Sequence, residues 1–383
     1  MKEADIMNRI HCFSAPGRTE ISGNHTDHQH GCVLAGAVNL ETTAEVTLNN
    51  TDSIRVYSDG YAPLEVDLRD LQPHWSERNT TAALVRGVAA AFAQRGAVLQ
   101  GMDAVVHSTV LPGSGLSSSA AFEVLMGTIF NDLFFGSKLS AVEIAQIGQW
   151  AENVYFGKPC GLMDQTASSV GGMVFIDFEN PEAPYVEKID FDFAAAGHAL
   201  CIIDSGADHA DLTDEYTAVT MELKSVCAHF GKSVLRQIPE EDFMAALPVL
   251  RQKVSHRGIL RAMHVYNENR RVRAQVQALK AGDFARFLAL VNESGRSSWM
   301  YLQNITPTGA AEHQEVALAL ALCERFLQGR GACRVHGGGF AGTVQAFVPV
   351  DMLAQFKTHM EAVLGEGKCH VLTIRPVGGI RLR

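Results

Sequence analysis

Leu111-Pro-Gly-Ser-Gly-Leu-Ser-Ser-Ser-Ala-Ala121 is a run of glycines and serines that passes directly into an apolar pattern typical of a helix. Glycine has no Cβ, so backbone N–H groups in such a run can approach an anion closely. A helix beginning near Ser118 would direct its unpaired N–H groups and the positive end of its dipole at the same point. The stretch therefore predicts a cradle for phosphate groups. It lacks the Walker sequence, and an ordinary loop followed by a serine cap has the same composition, so that alternative stays open.

The bulk composition limits the kind of protein and its partners. The 383 residues are 47% apolar and 19% charged, which is typical of a globular protein large enough for two domains. A net charge of −10 argues against non-specific binding to nucleic acid. The eight cysteines form no C-x-x-C pair, which indicates reduced thiols, and no apolar run is long enough to span a membrane. We therefore expect a cytoplasmic protein that contacts neither nucleic acid nor a membrane.

Apolar periodicity predicts a mixture of strands and helices around the glycine–serine run. Alternation over residues 43–48 and 53–57, with a polar tetrapeptide between them, predicts a β-hairpin. Ser140 followed by Glu143 matches a capping box that begins a helix over residues 140–155. Further helices are expected over 80–96, 214–230, 240–250, 257–281, 283–297 and 350–364, and further strands over 101–110, 171–178, 199–204, 343–349 and 369–374. The order predicts an α+β fold with an N-terminal domain over 1–200 and a C-terminal domain over 201–383, the terminal strand being free to pack across the boundary.

A second polar segment, residues 15–31, lies between two apolar runs and is unusually polar for a buried strand. Such a density of polar side chains suits a turn that lines a ligand site. The spacing of His25, Asp27, His28 and His30 also suits a zinc ion. A solvated loop is the third interpretation.

A third segment, residues 152–166, places Asp164 directly after a Gly-Leu-Met stretch. Partial burial there would raise the pKa of this carboxyl unless a cation lies near it. The alternative is a plain helix cap. Residues 337–342 fit the pattern G-x-G-x-x-G, but a strand-like run follows where the dinucleotide fingerprint requires a helix, so we reject nucleotide binding of that kind.

Taken in order, these segments resemble the GHMP small-molecule kinases, and most closely the galactokinase family. Gly17-Arg-Thr-Glu-Ile-Ser-Gly-Asn-His-Thr-Asp-His28 is similar to the family's G-R-V-N-L-I-G-E-H-T-D-Y, and residues 111–120 to its L-P-x-G-x-G-L-S-S-S-A. Cys160-Gly-Leu-Met-Asp-Gln165 is similar to C-G-I-M-D-Q, and residues 337–342 to the late glycine loop. Asp214-Glu-Tyr216 resembles S-E-Y.

This resemblance implies a two-domain fold, with an N-terminal half like domain 2 of ribosomal protein S5 and a ferredoxin-like C-terminal half. It implies ATP-dependent phosphorylation of the anomeric hydroxyl of galactose, which gives galactose 1-phosphate and ADP. The implied ligands are ATP, a monosaccharide and Mg²⁺, and the implied state is a monomer or weak homodimer.

The resemblance also implies roles for individual residues. Arg18 and Asp164 correspond to the catalytic pair, and Ser119 (or Ser118) and Glu152 to the Mg²⁺ ligands. The sugar-binding positions are Asn24, His25, Asp27, Gly161 and Tyr216. The ATP-binding loop comprises Pro112, Gly113, Ser114, Gly115, Leu116, Ser117, Ser118, Ser119 and Ala120.

Two departures from the family pattern keep alternatives open. Asn24 stands where the family has a glutamate that binds the sugar, and His28 stands where it has a tyrosine. A sugar altered at C6, such as galacturonate, or arabinose is therefore an alternative substrate. Thr81, or its neighbour, and Leu84 replace the aromatic residues near the adenine, so weaker stacking on the base and a weaker preference for ATP over other nucleotides are expected. A non-catalytic sensor of sugar and ATP on the same fold is the second alternative.

Overall fold

In the computed structural model, residues 9–110, 115–158, 160–207 and 212–383 are described, and their strands form two β-sheets. The first sheet has eight strands among these residues. In chain order they are β1 (His11–Ser22), β2 (Cys32–Leu48), β3 (Ser53–Ser58), β4 (Leu64–Asp67), β5 (Met102–Ser108), β6 (Met173–Asp177), β7 (Tyr185–Ile189) and β12 (Ile380–Arg381). The main path runs β12-β1-β2-β5-β3-β4, and β6 pairs with β2 and β7.

The predicted hairpin over residues 43–57 was wrong, although both of its strands exist. β2 and β3 follow each other along the chain, but β5 lies between them in the sheet. It pairs antiparallel with β2 and parallel with β3. Two backbone hydrogen bonds attach the connecting loop to the residue before β5. Asn49 N–H donates to the Gly101 carbonyl, and Gly101 N–H donates to the Thr51 carbonyl. Alternation identifies a strand, but it does not identify the strand's neighbour.

Four helices cover one part of the first sheet. They are α1 (Thr81–Gln94), α2 (Ser118–Phe135), α3 (Ala141–Ala151) and α4 (Met163–Val170). Phe92 of α1 stacks on Phe130 of α2 with the ring centroids 5.7 Å apart, and both side chains are fully buried. The predicted capping box at Ser140 is confirmed, with Glu143 and Ser140 bonded in both directions. Residues 15–22, expected to form a turn, instead belong to β1, and every residue of that strand is buried.

The second sheet is formed by β8 (His198–Asp204), β9 (Ala332–His336), β10 (Thr343–Pro349) and β11 (Cys369–Leu372). Its order is β11-β8-β10-β9, and all neighbours are antiparallel. Helices lie between β8 and β9 and between β10 and β11, which gives the β-α-β-β-α-β order of a ferredoxin-like unit. The helices of this half are α5 (Thr213–His229), α6 (Glu240–Lys253), α7 (His256–Lys280), α8 (Phe284–Ser297), α9 (Glu315–Leu327) and α10 (Leu353–Leu364).

The change from one sheet to the other lies between Ile189 and His198, so a boundary at residue 200 falls inside β8. The chain returns to the first sheet at its end, where Arg381 of β12 is registered opposite Phe13 of β1. The halves also share one hydrophobic core, in which Ile21 and Leu34 belong to the same cluster as Phe287 and Phe347. This common core fixes the relative position of β1 and the second sheet. Within the described residues, no helix is long and apolar enough to cross a membrane.

Candidate active site

Arg18 and Asp164 meet at the beginning of α2, although 146 positions separate them along the chain. Arg18 projects from β1, and Asp164 lies in the first turn of α4. Nε of Arg18 donates to Oδ1 of Asp164 at 2.7 Å, and Nη2 donates to Oδ2 at 2.6 Å. This two-point contact fixes the plane of the carboxylate as well as its position.

The described end of the glycine–serine run is attached to this pair. Nη1 of Arg18 donates to the Gly115 carbonyl, and Arg18 N–H donates to the Leu116 carbonyl at 3.0 Å. Ser117 adopts a φ of 53° and donates its hydroxyl to Oδ2 of Asp164. Three of the predicted ATP-binding residues, Pro112, Gly113 and Ser114, lie outside the described residues.

The first turn of α2 offers an anion site beside Asp164. The helix begins at Ser118 as the sequence predicted, and within the described part of the chain its N-cap residue, Ser117, makes no side-chain capping hydrogen bond. The N–H groups of Ser118, Ser119 and Ala120 therefore point out of the helix end, where the dipole is positive. A phosphate group placed there would accept hydrogen bonds from this turn and lie close to the Arg18 guanidinium.

The pKa of Asp164 lies below its ordinary value. Burial by itself would raise this pKa, but the charge of Arg18, the Arg18 hydrogen bonds and the Ser117 hydroxyl lower it by more. The cation that the sequence analysis required near Asp164 is Arg18. At neutral pH, Asp164 is therefore a carboxylate, and 32% of its side chain is exposed.

A second acidic group lies behind the phosphate site and contains Glu152. Its carboxylate is buried in the single π-helical turn that continues α3. Gln165 Nε2 bridges two acids, donating to Glu152 Oε2 at 3.0 Å and to Glu123 Oε2 at 2.9 Å. Burial raises the pKa of both glutamates. The charges of Glu152 and Asp164 raise the pKa of Glu123 further, and the charge of Asp164 raises that of Glu152. Lys158 Nζ lies 3.8 Å from Glu152 Oε1.

The donor atoms of this group fit a hard divalent cation that also binds phosphate. Ser119 and Glu123 are four residues apart on α2, so they share one helix face, and Gln165 connects Glu123 to Glu152. Mg²⁺ prefers oxygen ligands and commonly takes only one or two from the protein, the rest being water and phosphate oxygens. Oε1 of Glu123 is buried without a hydrogen-bond partner among the described residues, so an oxygen is still available there.

On the other side of Arg18, Asp27 and Gly161 are in direct contact. A Cβ added to Gly161 would lie 2.0 Å from Oδ2 of Asp27, so a larger residue there would force this carboxylate to move. The backbone N–H of His28 donates to the other oxygen, Oδ1, at 2.8 Å. The side chain of Asp27 is 12% exposed and presents an acceptor at the surface of the site.

The glycine loop after β9 is fixed by three of the residues expected at the sugar. Asn24 donates to the Gly337 carbonyl, and Tyr216 OH donates to the Gly339 carbonyl at 2.8 Å. His25 Nε2 lies 2.9 Å from the Gly338 carbonyl. Burial lowers the pKa of His25 to about 4, so at neutral pH the ring donates from Nε2 and keeps Nδ1 as an acceptor.

Asn24 is fully buried, and its amide is already hydrogen-bonded to the protein. Nδ2 donates to Glu20 Oε1 at 3.2 Å, and Oδ1 accepts from Asn304 Nδ2 at 2.7 Å. A direct bond from Asn24 to a sugar would require one of these partners to be given up. Neither Glu20 nor Asn304 was predicted from the sequence. A charged residue two positions after Arg18 was a usable signal for Glu20, but no local signal marks Asn304.

Comparison with known proteins places the chain in a family. The family model "Galactokinase galactose-binding signature" matches residues 4–48, and "GHMP kinases N terminal domain" matches residues 83–172. The galactokinase of Streptomyces coelicolor is 33% identical over 341 residues, which cover 88% of this chain and 84% of that protein. The chain belongs to the galactokinase family. The galactokinase of Glaesserella parasuis is 32% identical over 340 residues, with the same coverage of 88% and 84%.

Solved structures agree on the GHMP kinase fold. The crystal structure of Lactococcus lactis galactokinase complexed with galactose has a TM-score of 0.84 at 24% identity, covering 98% of this chain and 96% of that one. Leishmania major mevalonate kinase in complex with R-mevalonate has a TM-score of 0.63 at 17% identity, with coverage of 95% and 96%. The expected fold and family are confirmed.

Family membership also decides between the classes left open by the sequence. This galactokinase family member is a sugar kinase, which transfers a phosphoryl group to a hydroxyl acceptor, so the sensor alternative is set aside. Among the residues that the structure describes, no group of three or more histidine, cysteine or acidic side chains is arranged to hold a metal ion. The histidine-rich turn instead uses His25 to hold the Gly338 carbonyl.

Proposed function

We propose that this protein transfers the γ-phosphoryl group of ATP to the anomeric hydroxyl of galactose, giving galactose 1-phosphate and ADP. The observation that carries the proposal is the Arg18–Asp164 pair, held at the open N-terminus of α2 by Ser117. Phosphoryl transfer depends mainly on the positions of the reacting groups and on neutralising charge at the γ-phosphate. The Asp164 carboxylate would position the acceptor hydroxyl. The Arg18 guanidinium, which is bonded to it, would neutralise charge on the γ-phosphate.

Asp164 orients the sugar hydroxyl and accepts its hydrogen bond. Because Arg18 keeps the pKa of Asp164 low, this carboxylate is a weak base in the free enzyme. A loose transition state requires little removal of the acceptor's proton before the phosphoryl group arrives, so a weak but well-placed base is sufficient. Asp164 then takes the proton as the new O–P bond forms.

Arg18 has two roles in this arrangement. It holds Asp164 by two hydrogen bonds, and its third donor holds the Gly115 carbonyl of the phosphate loop. The guanidinium therefore fixes the distance between the acceptor side and the phosphate side of the reaction. Its charge also stabilises the transferring phosphoryl oxygens.

Ser119 and Glu152 are the proposed protein ligands of Mg²⁺. When bound, Mg²⁺ would neutralise charge on the ATP phosphates. Gln165 holds the Glu152 carboxylate by its 3.0 Å hydrogen bond, and Lys158 adds positive charge at 3.8 Å. The residues of the loop, from Gly115 to Ala120 and with the undescribed Pro112, Gly113 and Ser114, are proposed to surround the phosphates.

The sugar is proposed to lie against Asp27, His25 and Gly161, between the first sheet and the glycine loop. Asp27 accepts from sugar hydroxyls, and Nδ1 of the neutral His25 ring accepts as well. Gly161 permits this position of Asp27. Tyr216 contributes by holding the Gly339 carbonyl, and Asn24 by holding the Gly337 carbonyl.

We further propose that the protein acts in the cytoplasm as a monomer or weak homodimer. All eight cysteines are free thiols in the structure, and six of them are buried, which suits a reducing compartment. Light scattering across a concentration series would measure the oligomeric state.

A coupled assay of ADP release tests the proposed reaction. Galactose, galacturonate, arabinose and glucose are offered in turn with MgATP, and the product is identified by phosphorus NMR. We expect turnover with galactose and a phosphate on its anomeric oxygen. Turnover with galacturonate or arabinose and none with galactose would overturn the proposal.

A further inference from the structure

Glu20 is a buried acid that faces the same region as Arg18. The two residues lie two positions apart on β1, in a stretch of regular pairing where Arg18 is opposite Ala37 and Glu20 opposite Ala35. Side chains two apart on a strand point to the same face of the sheet. Burial raises the pKa of Glu20, and the Arg334 guanidinium beside it acts to lower that pKa. The charges of Arg18, which lowers the pKa, and of Asp27, which raises it, act on the same carboxyl more weakly.

Within the described residues, one of the two carboxylate oxygens of Glu20 has protein hydrogen-bond partners. Oε1 accepts from Arg334 Nη2 at 2.7 Å and from Asn24 Nδ2 at 3.2 Å. Oε2 has no hydrogen-bond partner among the described residues, and it is not one of their fully enclosed orphan atoms. The side chain keeps 5% of its surface exposed. An unpartnered carboxylate oxygen at the edge of a site is a strong acceptor for a ligand hydroxyl.

The surroundings hold this acid in place. Arg334 is fully buried, and its Nη1 donates to the Ile21 carbonyl at 2.9 Å, so the guanidinium is anchored to β1 at Ile21 as well as at Glu20. Asn24 is anchored by Asn304 and by the glycine loop. Glu20 Oε1 therefore has two fixed donors, and Oε2 is directed by them.

We propose that Glu20 Oε2 accepts a hydrogen bond from a hydroxyl of the bound sugar, and that Glu20, not Asn24, is the residue at this point that determines sugar specificity. This inference rests on the proposed function. The glutamate that the family carries at the position of Asn24 is absent here, and the acid that contacts the Asn24 amide comes from position 20.

The charge of Glu20 has a consequence for the choice of substrate. A neutral hydroxyl can donate to a carboxylate, whereas a second carboxylate can only be repelled by it. Glu20 and Asp27 together make this side of the site negative. A sugar acid is therefore excluded. The galacturonate alternative, which Asn24 suggested, is disfavoured by Glu20.

The test compares Glu20→Gln with the unmodified enzyme on galactose and on its 2-, 3-, 4- and 6-deoxy forms. The glutamine keeps the shape of the side chain and removes its charge. We expect the KM for galactose to rise about 10- to 100-fold in the variant, with the KM for ATP unchanged. At one deoxy position, the unmodified enzyme should lose about tenfold or more in kcat/KM, and Glu20→Gln should lose much less. That position identifies the hydroxyl bound by Oε2.

Two controls separate sugar binding from structural support. Glu41 lies on β2, the strand beside β1, and its carboxylate pairs with Arg375. Glu41→Gln removes that charge and should leave the KM for galactose unchanged. Arg334→Lys should lower the melting temperature. Its losses of kcat/KM across the deoxy sugars should match those of the unmodified enzyme. Equal losses across the deoxy series in Glu20→Gln and in the unmodified enzyme would overturn the inference and leave Glu20 as a structural ion-pair partner.

The unmodified enzyme provides a reading that needs no variant. Calorimetry should show galacturonate binding about 100-fold or more weakly than galactose, and equal binding would overturn the inference even if Glu20→Gln did not fold. Absence of galactose turnover by the unmodified enzyme would contradict the proposed function itself. Turnover without any coupling between Glu20 and a sugar hydroxyl would contradict only the inference about Glu20.

Discussion

The two sides of the site are held together by different kinds of contact. On the phosphate side, Arg18 and Asp164 form an ion pair that keeps part of its surface open to a ligand. On the sugar side, neutral amides hold glycine carbonyls, and Asn24 and Asn304 are completely buried. The ion pair presents charge to the transferring phosphoryl group, whereas these amides set the shape of a wall beside the acids Glu20 and Asp27. A change on the phosphate side should therefore affect kcat, whereas a change on the sugar side should affect the KM for the sugar.

The largest effect is expected from Asp164→Ala. It removes the proposed acceptor of the sugar's proton and leaves Arg18 without its partner, so kcat should fall by about 10³- to 10⁴-fold. Calorimetry should still detect galactose binding, because Asp27 and the glycine loop remain. Asp164→Asn, which keeps the shape, should lose nearly as much activity. Retention of more than a tenth of kcat by either variant would contradict the role given to Asp164.

Arg18→Met should lower kcat by about 10²- to 10³-fold and also change the pH profile. Asp164 must be ionised to work, so the acid limb of kcat/KM follows its pKa. Burial raises that pKa and Arg18 lowers it, so loss of Arg18 should raise it and move the acid limb to higher pH. Arg18→Lys keeps the charge and should leave the limb near its original place while the rate stays low. An unmoved limb in Arg18→Met would show that Arg18 does not control Asp164.

Gly161→Ala should weaken sugar binding without affecting the nucleotide. The new methyl group would meet Asp27 Oδ2 at 2.0 Å and push the carboxylate away. We expect the KM for galactose to rise about tenfold or more, with the KM for ATP unchanged, because one charged hydrogen bond is displaced. In the Asp27→Ala background, the same substitution should have little further effect, since its target is gone. Additive effects would mean that Gly161 acts through another contact.

Asn304→Ala should produce the smallest effect and test whether the sugar side is a wall. It removes the Asn304 side-chain amide, whose Nδ2 donates to Asn24 Oδ1 at 2.7 Å and to the Gly338 carbonyl at 3.0 Å. Asn24 Oδ1 then loses its 2.7 Å donor, whereas the Gly338 carbonyl keeps the hydrogen bond from His25. Loss of the donor to a buried acceptor should destabilise the fold by about 1–3 kcal/mol, measured by urea denaturation. The KM for galactose should rise several-fold at unchanged kcat. A fall in kcat with an unchanged KM would contradict the division between the two sides.

Local sequence rules predicted the features whose causes lie within a few residues. Ser140 and Glu143 form their capping box across three positions, and the start of α2 at Ser118 follows from the change from glycine and serine to apolar residues. The order of the strands in the first sheet could not be predicted from such local signals. The alternation of β2 and β3 was read correctly, but β5, which separates them, begins more than 40 residues later.

The sequence by itself determined the ordered motifs, the family they indicate and the prediction that Arg18 and Asp164 act as a pair. Only the tertiary structure decided the positions of Glu20, Asn24 and Asn304. Asn304 reaches Asn24 across 280 positions, and Arg334 reaches Glu20 across 314. Which buried polar groups become partners depends on how the two sheets pack, because every such group must find a donor or acceptor among whatever the fold brings near. Oε2 of Glu20, which has no hydrogen-bond partner in the described part of the chain, is a result of that packing.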